Sequence, residues 1–366
     1  MSMRLVPQRF DLRLRDPWAI SGASAAGGGK RIHPVVFVQL EDSLGRRGIG
    51  EASPSSQYQE DVHSVSRFLS AVDASKLSFD RLAESASYLN SIRPSSPPAR
   101  CALDLALLDG AARAAGVPVH QFLGLGFTEG RHATSFSLGI DTPEVMARKA
   151  AAAVASGMPL LKVKVGVAAD RENLSALMAA APGVPIRVDA NAAWVTREDA
   201  LSHIEWLAGT GRVEFVEQPM PPSLPDADWL WLKERSPLPL IGDELFQTAA
   251  DAPRCARCVH GVNVKLVKTG GLTGGLQALR AARELGLKTM LGCMIESSVL
   301  ITAAAHLADL TDYLDLDGNL LIDNDPFTGI RCLGGGLTFD GVSDLAGLRV
   351  TLCGLDGGVF PANLPA

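Results

Sequence analysis

Leu160-Leu-Lys-Val-Lys-Val-Gly166 is an apolar run in which alternate positions carry Lys162 and Lys164. A period of two is that of a β-strand, so both lysines leave one face while Leu161, Val163 and Val165 leave the other. Runs of the same kind follow at Pro185 to Asn191, Val213 to Pro219, Pro239 to Leu245 and Gly261 to Val267. They carry Asp189, Glu217, Asp243 and Lys265, each 22 to 28 residues after the charged residue before it. Thr134 to Ile140, Lys288 to Met294 and Tyr313 to Gly318 extend the series to eight, with Ala-rich amphipathic stretches such as Pro143 to Ser156 and Leu276 to Leu285 between runs. Strand and helix alternating at this period predict an α/β fold with a closed parallel (β/α) barrel. An open doubly wound sheet usually has fewer strands and a Gly-rich phosphate loop after the first.

The chain has 366 residues, more than the roughly 200 to 250 of a bare barrel. Residues 1–125 read as an α+β capping domain. Strand-like runs at Met3 to Leu14 and Pro34 to Glu41 are joined by Ser21-Gly-Ala-Ser-Ala-Ala-Gly-Gly-Gly29, and helices follow near Asp61 to Val72, Asp80 to Leu89 and Pro98 to Ala115. The glycine-rich stretch, within a loop near 20–31, reads either as a flap that closes over a site or as a plain surface hairpin. The barrel is assigned to 126–318. Beyond it, 319–366 leaves the repeat and is expected to return to the capping domain.

Hydrophobic residues make up 47% and charged residues 20%, the balance of a globular protein. A net charge of -6, without a basic cluster longer than a pair or triplet, argues against nucleic acid. With no signal-peptide pattern and no run of about 18 apolar residues, a cytoplasmic protein without a membrane partner is expected. Six scattered cysteines fit a reducing compartment. Cys255-Ala-Arg-Cys258 has redox or zinc spacing but stands alone in a helical stretch, so it is read as structural.

Catalytic groups of a parallel barrel gather at the C-terminal ends of its strands. Asp189, Glu217 and Asp243 fall there on three consecutive strands. One such carboxylate reads as a helix cap or an arginine partner; three in register point to a divalent cation with oxygen ligands, Mg²⁺ first. Lys162 and Lys164 face the axis beside that site. Repulsion between them and from a metal lowers proton affinity, leaving Lys164 a base, with Lys162 tuning it and contacting a substrate carboxylate. Lys265 points inward from the opposite side, and Lys268, one turn on, is assigned to the following loop. Two lysines on opposite sides of a metal-bound carbon acid can remove an α-proton from one face and return one to the other, giving the epimer.

Leu161-Lys-Val-Lys-Val-Gly166, Arg187-Val-Asp-Ala-Asn191, Val216-Glu-Gln-Pro219, Gly242-Asp-Glu244 and Asn263-Val-Lys265, with Ala102-Leu-Asp-Leu-Ala-Leu-Leu-Asp109, resemble the enolase superfamily and its muconate-lactonizing subgroup. That superfamily pairs a Lys or His base with Mg²⁺. The resemblance implies a TIM-like barrel of the enolase type, one Mg²⁺ per subunit with Mn²⁺ able to substitute, supporting roles for Asn191, Glu244 and Lys268, and allows a homo-oligomer. Leu314-Asp-Leu-Asp-Gly318 is similar to the Asp-x-Asp motif of dipeptide epimerases, where the acids hold the substrate's α-ammonium. Asp315 and Asp317 are two apart, hence on one strand face, which suits a cation. Met290 to Ser297 resembles that group's seventh strand. It implies substrate contacts for Cys293, Met294 and Glu296, and for Ser135 from the first strand, although Glu296 also reads as a helix cap.

One position departs. Epimerases acting on Ala-Glu carry an arginine in the flexible loop where this chain has Ile20-Ser-Gly22; the next cations are Lys30 and Arg31. The second residue of the dipeptide therefore stays open. N-acylamino acid racemases, o-succinylbenzoate synthases and muconate cycloisomerases share the metal and lysine set but need no ammonium-binding acids. Acid-sugar dehydratases use a histidine where this chain has Gly292-Cys-Met294, and His306 lies too far into the next helix to serve. A Schiff-base aldolase or a non-catalytic barrel are the readings from other classes.

Overall fold

The structure, a computed structural model, describes residues 3–21 and 29–353. Three strands, β1 (Met3–Trp18), β2 (Lys30–Asp42) and β3 (Arg47–Ala52), form an antiparallel sheet. Eight more form a parallel sheet whose spatial order follows the chain: β4 (Phe136–Leu138), β5 (Leu161–Lys164), β6 (Ile186–Asp189), β7 (Val213–Glu217), β8 (Leu240–Gly242), β9 (Gly261–Lys265), β10 (Lys288–Gly292) and β11 (Tyr313–Asp315). All eight lie within the runs read from the sequence. The sheet closes where Thr134 bridges Leu314 in parallel and the Ser135 N–H donates to the Leu314 carbonyl at 3.2 Å. Val163, Val188, Val216 and Val264 are buried in the core beneath the helical layer, and burying each such side chain is worth about 1.5–3 kcal/mol.

The third cap strand is absent from the sequence reading, for a physical reason. Arg47-Gly-Ile-Gly-Glu-Ala52 has two glycines and little β-propensity. The glycines are set by packing against the helix Pro97–Ala114: a Cβ at Gly48 would lie 1.9 Å from the Ala106 carbonyl oxygen, and one at Gly50 1.9 Å from that of Ala102.

Glu51, on β3, reaches the first turn of the wholly buried helix Ser298–Ala305. Its carboxylate accepts from the Ser297 N–H (3.0 Å), the Ser297 hydroxyl (2.5 Å) and the Leu300 N–H (3.3 Å). An acid at a helix N-terminus is favourably placed, and here it fixes the cap to the loop after β10. Burial pushes Glu51 up to about 8. Past β11, Ile322 bridges Leu14 and the Asp323 N–H donates to the Arg13 carbonyl, whereas the Leu337 N–H donates to the His132 carbonyl. Cys255 and Cys258 are buried free thiols in the helix Ala252–Cys258. Among the described residues no helix is long and apolar enough to cross a membrane.

His306, at the end of the helix Ser298–Ala305, is completely buried between His120 (Nδ1 to Nδ1, 2.8 Å) and the Leu348 carbonyl, to which Nε2 donates at 3.1 Å. Burial and the His120 ring push its pKa down to about 3. The unfolded chain binds this proton below about pH 6.5 and the folded chain does not, so the stabilisation is full above 6.5 and is lost as pH falls toward 3. His306→Leu is therefore expected to flatten the acid side of the unfolding free energy against pH by up to ~1.4 kcal/mol per pH unit. Equal slopes for the two proteins in chemical denaturation between pH 4 and 6.5 would contradict this.

Candidate active site

Asp189 ends β6, Glu217 ends β7, and Asp243 follows β8 directly. The local sequence places them there because the apolar residues of each strand face the helices and the chain exits at the mouth. All three are essentially unexposed, and one oxygen from each lies within 4.8 Å of the others. Oxygens on opposite sides of an octahedral Mg²⁺ with ~2.1 Å bonds are about 4.2 Å apart, so small rotations bring this trio to ligand spacing. Glu217 Oε2 lies 2.8 Å from Lys162 Nζ. Three buried carboxylates whose oxygens converge fit a divalent cation of the Mg²⁺ type.

Neighbouring groups hold these carboxylates in place. The Asn191 N–H donates to Asp189 Oδ1 (2.9 Å), and Asn263 Nδ2 donates to Glu217 Oε1 (2.8 Å). Gln218 Oε1 accepts from the Asp243 and Leu245 N–H groups at 2.9 and 3.1 Å. Asn191, Ala192 and Gln218 have φ of 44°, 63° and 40°; for Ala192 and Gln218 such a backbone costs of order 1–3 kcal/mol and persists only where surroundings impose it. Glu244 accepts from Asn191 Nδ2 and from Gln57 of the cap, both at 3.3 Å, and burial with the Asp243 charge pushes it up to about 8.

The four lysines all converge on the carboxylates. Lys162 Nζ lies 2.7 Å from Asp315, 2.8 Å from Glu217 and 3.2 Å from Asp189; Lys164 Nζ lies 2.5 Å from Asp189; Lys265 Nζ lies 2.8 Å from Asp243. Lys268 does not serve the following loop as expected. It sits in the turn Leu266–Thr269, which folds its ammonium back onto Asp243 Oδ1 (2.6 Å) and the carbonyls of Asp243, Phe246 and Asn263. Burial favours the neutral amine, but the acids beside Lys162 and Lys265 outweigh it and hold both pKa values well above the ordinary lysine range. Glu217 is pushed up to about 6 by burial and by Asp189.

Between the barrel mouth and the cap lies a cavity of about 150 Å³, with Lys162, Lys164 and Lys265 in its wall and Trp18, Ile20, Lys30 and His33 contributed by the cap. β5 and β9 are four strands apart in the eight-stranded closed order, so Lys164 and Lys265 face each other across the axis. Asp315 and Asp317 also line it, but unequally. Asp315 accepts from the Ser135 hydroxyl (2.6 Å), the Ser137 hydroxyl (3.2 Å) and Lys162, and although burial opposes it these partners bring its pKa down to about 2. Asp317 accepts from the Ser137 N–H (2.5 Å) and lies 3.8 Å from Cys293 Sγ; burial and the Asp315 charge push it up to about 7. Among the described residues it is the member of the pair without an ion-paired cation.

Cys293 and Met294 line the cavity; Ser135 and Glu296 do not. Ser135 lies just before β4, fully buried behind Asp315, and Ser137, two residues nearer the mouth, takes the position expected of it. Glu296 turns away to accept from the Met294 N–H (2.9 Å), and burial pushes it up to about 7. The following helix is capped by Ser297 and Glu51 instead. Gln218, Asn263, Ser137 and Tyr58, whose hydroxyl is 3.4 Å from Asp243 Oδ1, were missed from sequence. Lys30 lines the cavity and Arg31 does not. Gly22, and with it the question of whether the loop closes, lies outside the described residues.

Residues 11–124 match the family described as mandelate racemase / muconate lactonizing enzyme, N-terminal domain, and residues 145–322 match enolase C-terminal domain-like proteins. An L-Ala-D/L-amino acid epimerase of Pedosphaera parvula is 50% identical over 350 residues, covering 96% of this chain and 99% of its own. An L-Ala-D/L-Glu epimerase of Bacteroides thetaiotaomicron is 36% identical over 351 residues, covering 96% and 88%. A dipeptide epimerase of Enterococcus faecalis, solved with Mg and the dipeptide L-Leu-L-Tyr, superposes with a TM-score of 0.85 at 28% identity, covering 96% of this chain and all of that one.

Proposed function

The chain belongs to the mandelate racemase / muconate lactonizing enzyme family of the enolase superfamily, and we propose that it is a dipeptide epimerase that inverts the α-carbon of the C-terminal residue. The observation that carries this reading is the opposition of Lys164 and Lys265 across three convergent carboxylates. Asp189, Glu217 and Asp243 would hold one Mg²⁺ per subunit, with Mn²⁺ able to substitute. When bound, the cation supplies Lewis-acid stabilisation for the negative charge that develops on the substrate carboxylate.

The chain's own residues do the rest. One of Lys164 and Lys265 takes the α-proton as the C–H bond breaks, and the other, entering protonated, delivers its proton to the opposite face. The two lysines leave the cycle with exchanged protonation states, which solvent restores. Lys162, buried among Asp189, Glu217 and Asp315, keeps this acidic cluster together and favours the ionised carboxylates. Asp317, with Asp315 beside it, is the acceptor for the free α-ammonium, in a cavity whose other wall is Trp18 and Ile20 of the cap.

Asp317→Asn tests the ammonium site. Removing a charged acceptor of a buried ammonium is expected to lower kcat/KM for free dipeptides by roughly 10- to 100-fold. Asp317 titrates up at about 7, so it becomes neutral below that pH and dipeptide KM should rise as pH falls through 7 in the wild type and stay flat in the variant. Undiminished turnover of free dipeptides by Asp317→Asn would instead favour an N-acylamino acid racemase, which has no ammonium to bind.

A further inference from the structure

The loop after β10 forms one wall of the cavity through Cys293, Met294 and Ile295, and its two ends are held by different parts of the chain. At the near end Gly292 pairs in register with Lys265 of β9 and Asp315 of β11. Gly318, after β11, packs so closely on the loop that a Cβ there would lie 2.6 Å from the Met294 carbonyl oxygen. At the far end the ties come from the cap. The Ser53 hydroxyl donates to the Ile295 carbonyl at 2.8 Å, and Glu51 takes the Ser297 N–H, the Ser297 hydroxyl and the Leu300 N–H. Glu51 and Ser53 are both fully buried.

Capping alone does not call for Glu51. The helix Ser298–Ala305 has other acceptors at its start: the Ser297 hydroxyl takes the Val299 N–H at 3.1 Å and Asp325 takes the Ser298 N–H at 2.8 Å. Glu51 comes from 246 residues away and reaches the N–H of Ser297, the residue before the helix. The contact therefore fastens the loop itself to the cap. Cys293 Sγ lies 3.8 Å from Asp317, and Gly292 stands beside Lys265, so this wall occupies the space between the ammonium acceptor and one of the two proton carriers.

We infer that Glu51, with Ser53, is a positioning residue that acts through Ser297 and Ile295 to set where the 293–295 wall stands between Lys265 and Asp317. A wall displaced by an ångström misplaces the α-carbon relative to the lysine, a geometry to which proton transfer is sensitive. The effect on turnover rests on the dipeptide epimerase reading; the effect on the loop does not.

Glu51→Met keeps a side chain of similar length but offers no acceptor to two buried N–H groups and a hydroxyl. Amide hydrogen exchange read by mass spectrometry should speed up roughly 10- to 100-fold in residues 293–300, while the cap helix Pro97–Ala114 and strands β6 to β9 stay within about 3-fold of the wild type. With Mg²⁺, kcat/KM on L-Ala-L-Glu or L-Ala-L-Leu should fall by roughly 10-fold or more, mainly through KM, because the wall is met in ground and transition states alike. A general loss of stability would instead reduce the fraction of folded enzyme, lowering apparent kcat and leaving KM in place. Glu51→Gln, which retains one acceptor oxygen, should recover part of both effects. If Glu51→Met does not fold, Ser53→Ala removes only the tie to Ile295 and is read by the same measurements, with changes of about 3- to 10-fold. Exchange that quickens equally throughout the chain, exchange unchanged in 293–300, or a loss confined to kcat overturns the inference. A wild type that turns over neither dipeptide counts against the epimerase reading, and the exchange result still decides whether Glu51 sets the loop.

Discussion

Lys265→Ala is expected to abolish epimerisation in both directions while leaving α-proton exchange with solvent from one diastereomer only. The asymmetry follows from the placement of the two lysines. Lys164 on β5 and Lys265 on β9 approach the cavity from opposite sides. With one removed, the other can still take the proton on its own face and return a solvent-derived one to that same face. Inversion needs both. Loss of a positioned base costs about 10²- to 10⁴-fold, so inversion should fall at least to the bottom of that range in Lys265→Ala and likewise in Lys164→Ala. The exchanging diastereomer should be opposite in the two variants, which proton NMR in D₂O reads directly. Exchange of both diastereomers in a single-lysine variant would mean that one group serves both faces.

Loss of the metal should be as severe. Several kcal/mol of charge stabilisation corresponds to roughly 10³-fold or more in rate, so dialysis against EDTA is expected to remove activity and Mg²⁺ or Mn²⁺ to restore it. Glu217→Gln and Asp243→Asn should both lose tight Mn²⁺ binding, followed by electron paramagnetic resonance independently of turnover. Their stabilities should differ. Asp243 is the carboxylate partner of both Lys265 and Lys268, and its replacement leaves buried ammonium groups unpaired. Breaking such a pair typically costs about 3–5 kcal/mol. Glu217 is already pushed up to about 6 by burial and Asp189, so it is the less stabilising carboxylate, and Glu217→Gln should melt closer to the wild type. Full activity of either variant in EDTA would remove the metal from the account.

The parts legible in the sequence are those with a period. Alternating apolar residues marked all eight barrel strands, and charges at the ends of those runs marked the acids and lysines that converge at the mouth. What stayed hidden has no period. β3 is held by a helix pressed against Gly48 and Gly50, and its own residues favour no strand. Gln218 and Asn263 act through neutral amides on a backbone N–H or a carboxylate, contacts that only the closed barrel creates. Lys268 was misread because a single helical turn after β9 reverses its direction. Ser135 and Ser137 share a strand face, and depth alone separates the one behind Asp315 from the one at the cavity. The carboxylates that hold the proton on Lys162 against burial come from three other strands, so their effect has no local signal in the sequence.

The most direct measurement is incubation of the Mg²⁺-loaded protein with a dipeptide library in D₂O, read by mass spectrometry and chiral separation. The account predicts that substrates gain a single deuteron at the α-carbon of the C-terminal residue as the two diastereomers interconvert. No deuterium in any dipeptide, or activity that persists in EDTA with a borohydride-trapped lysine adduct, would contradict it.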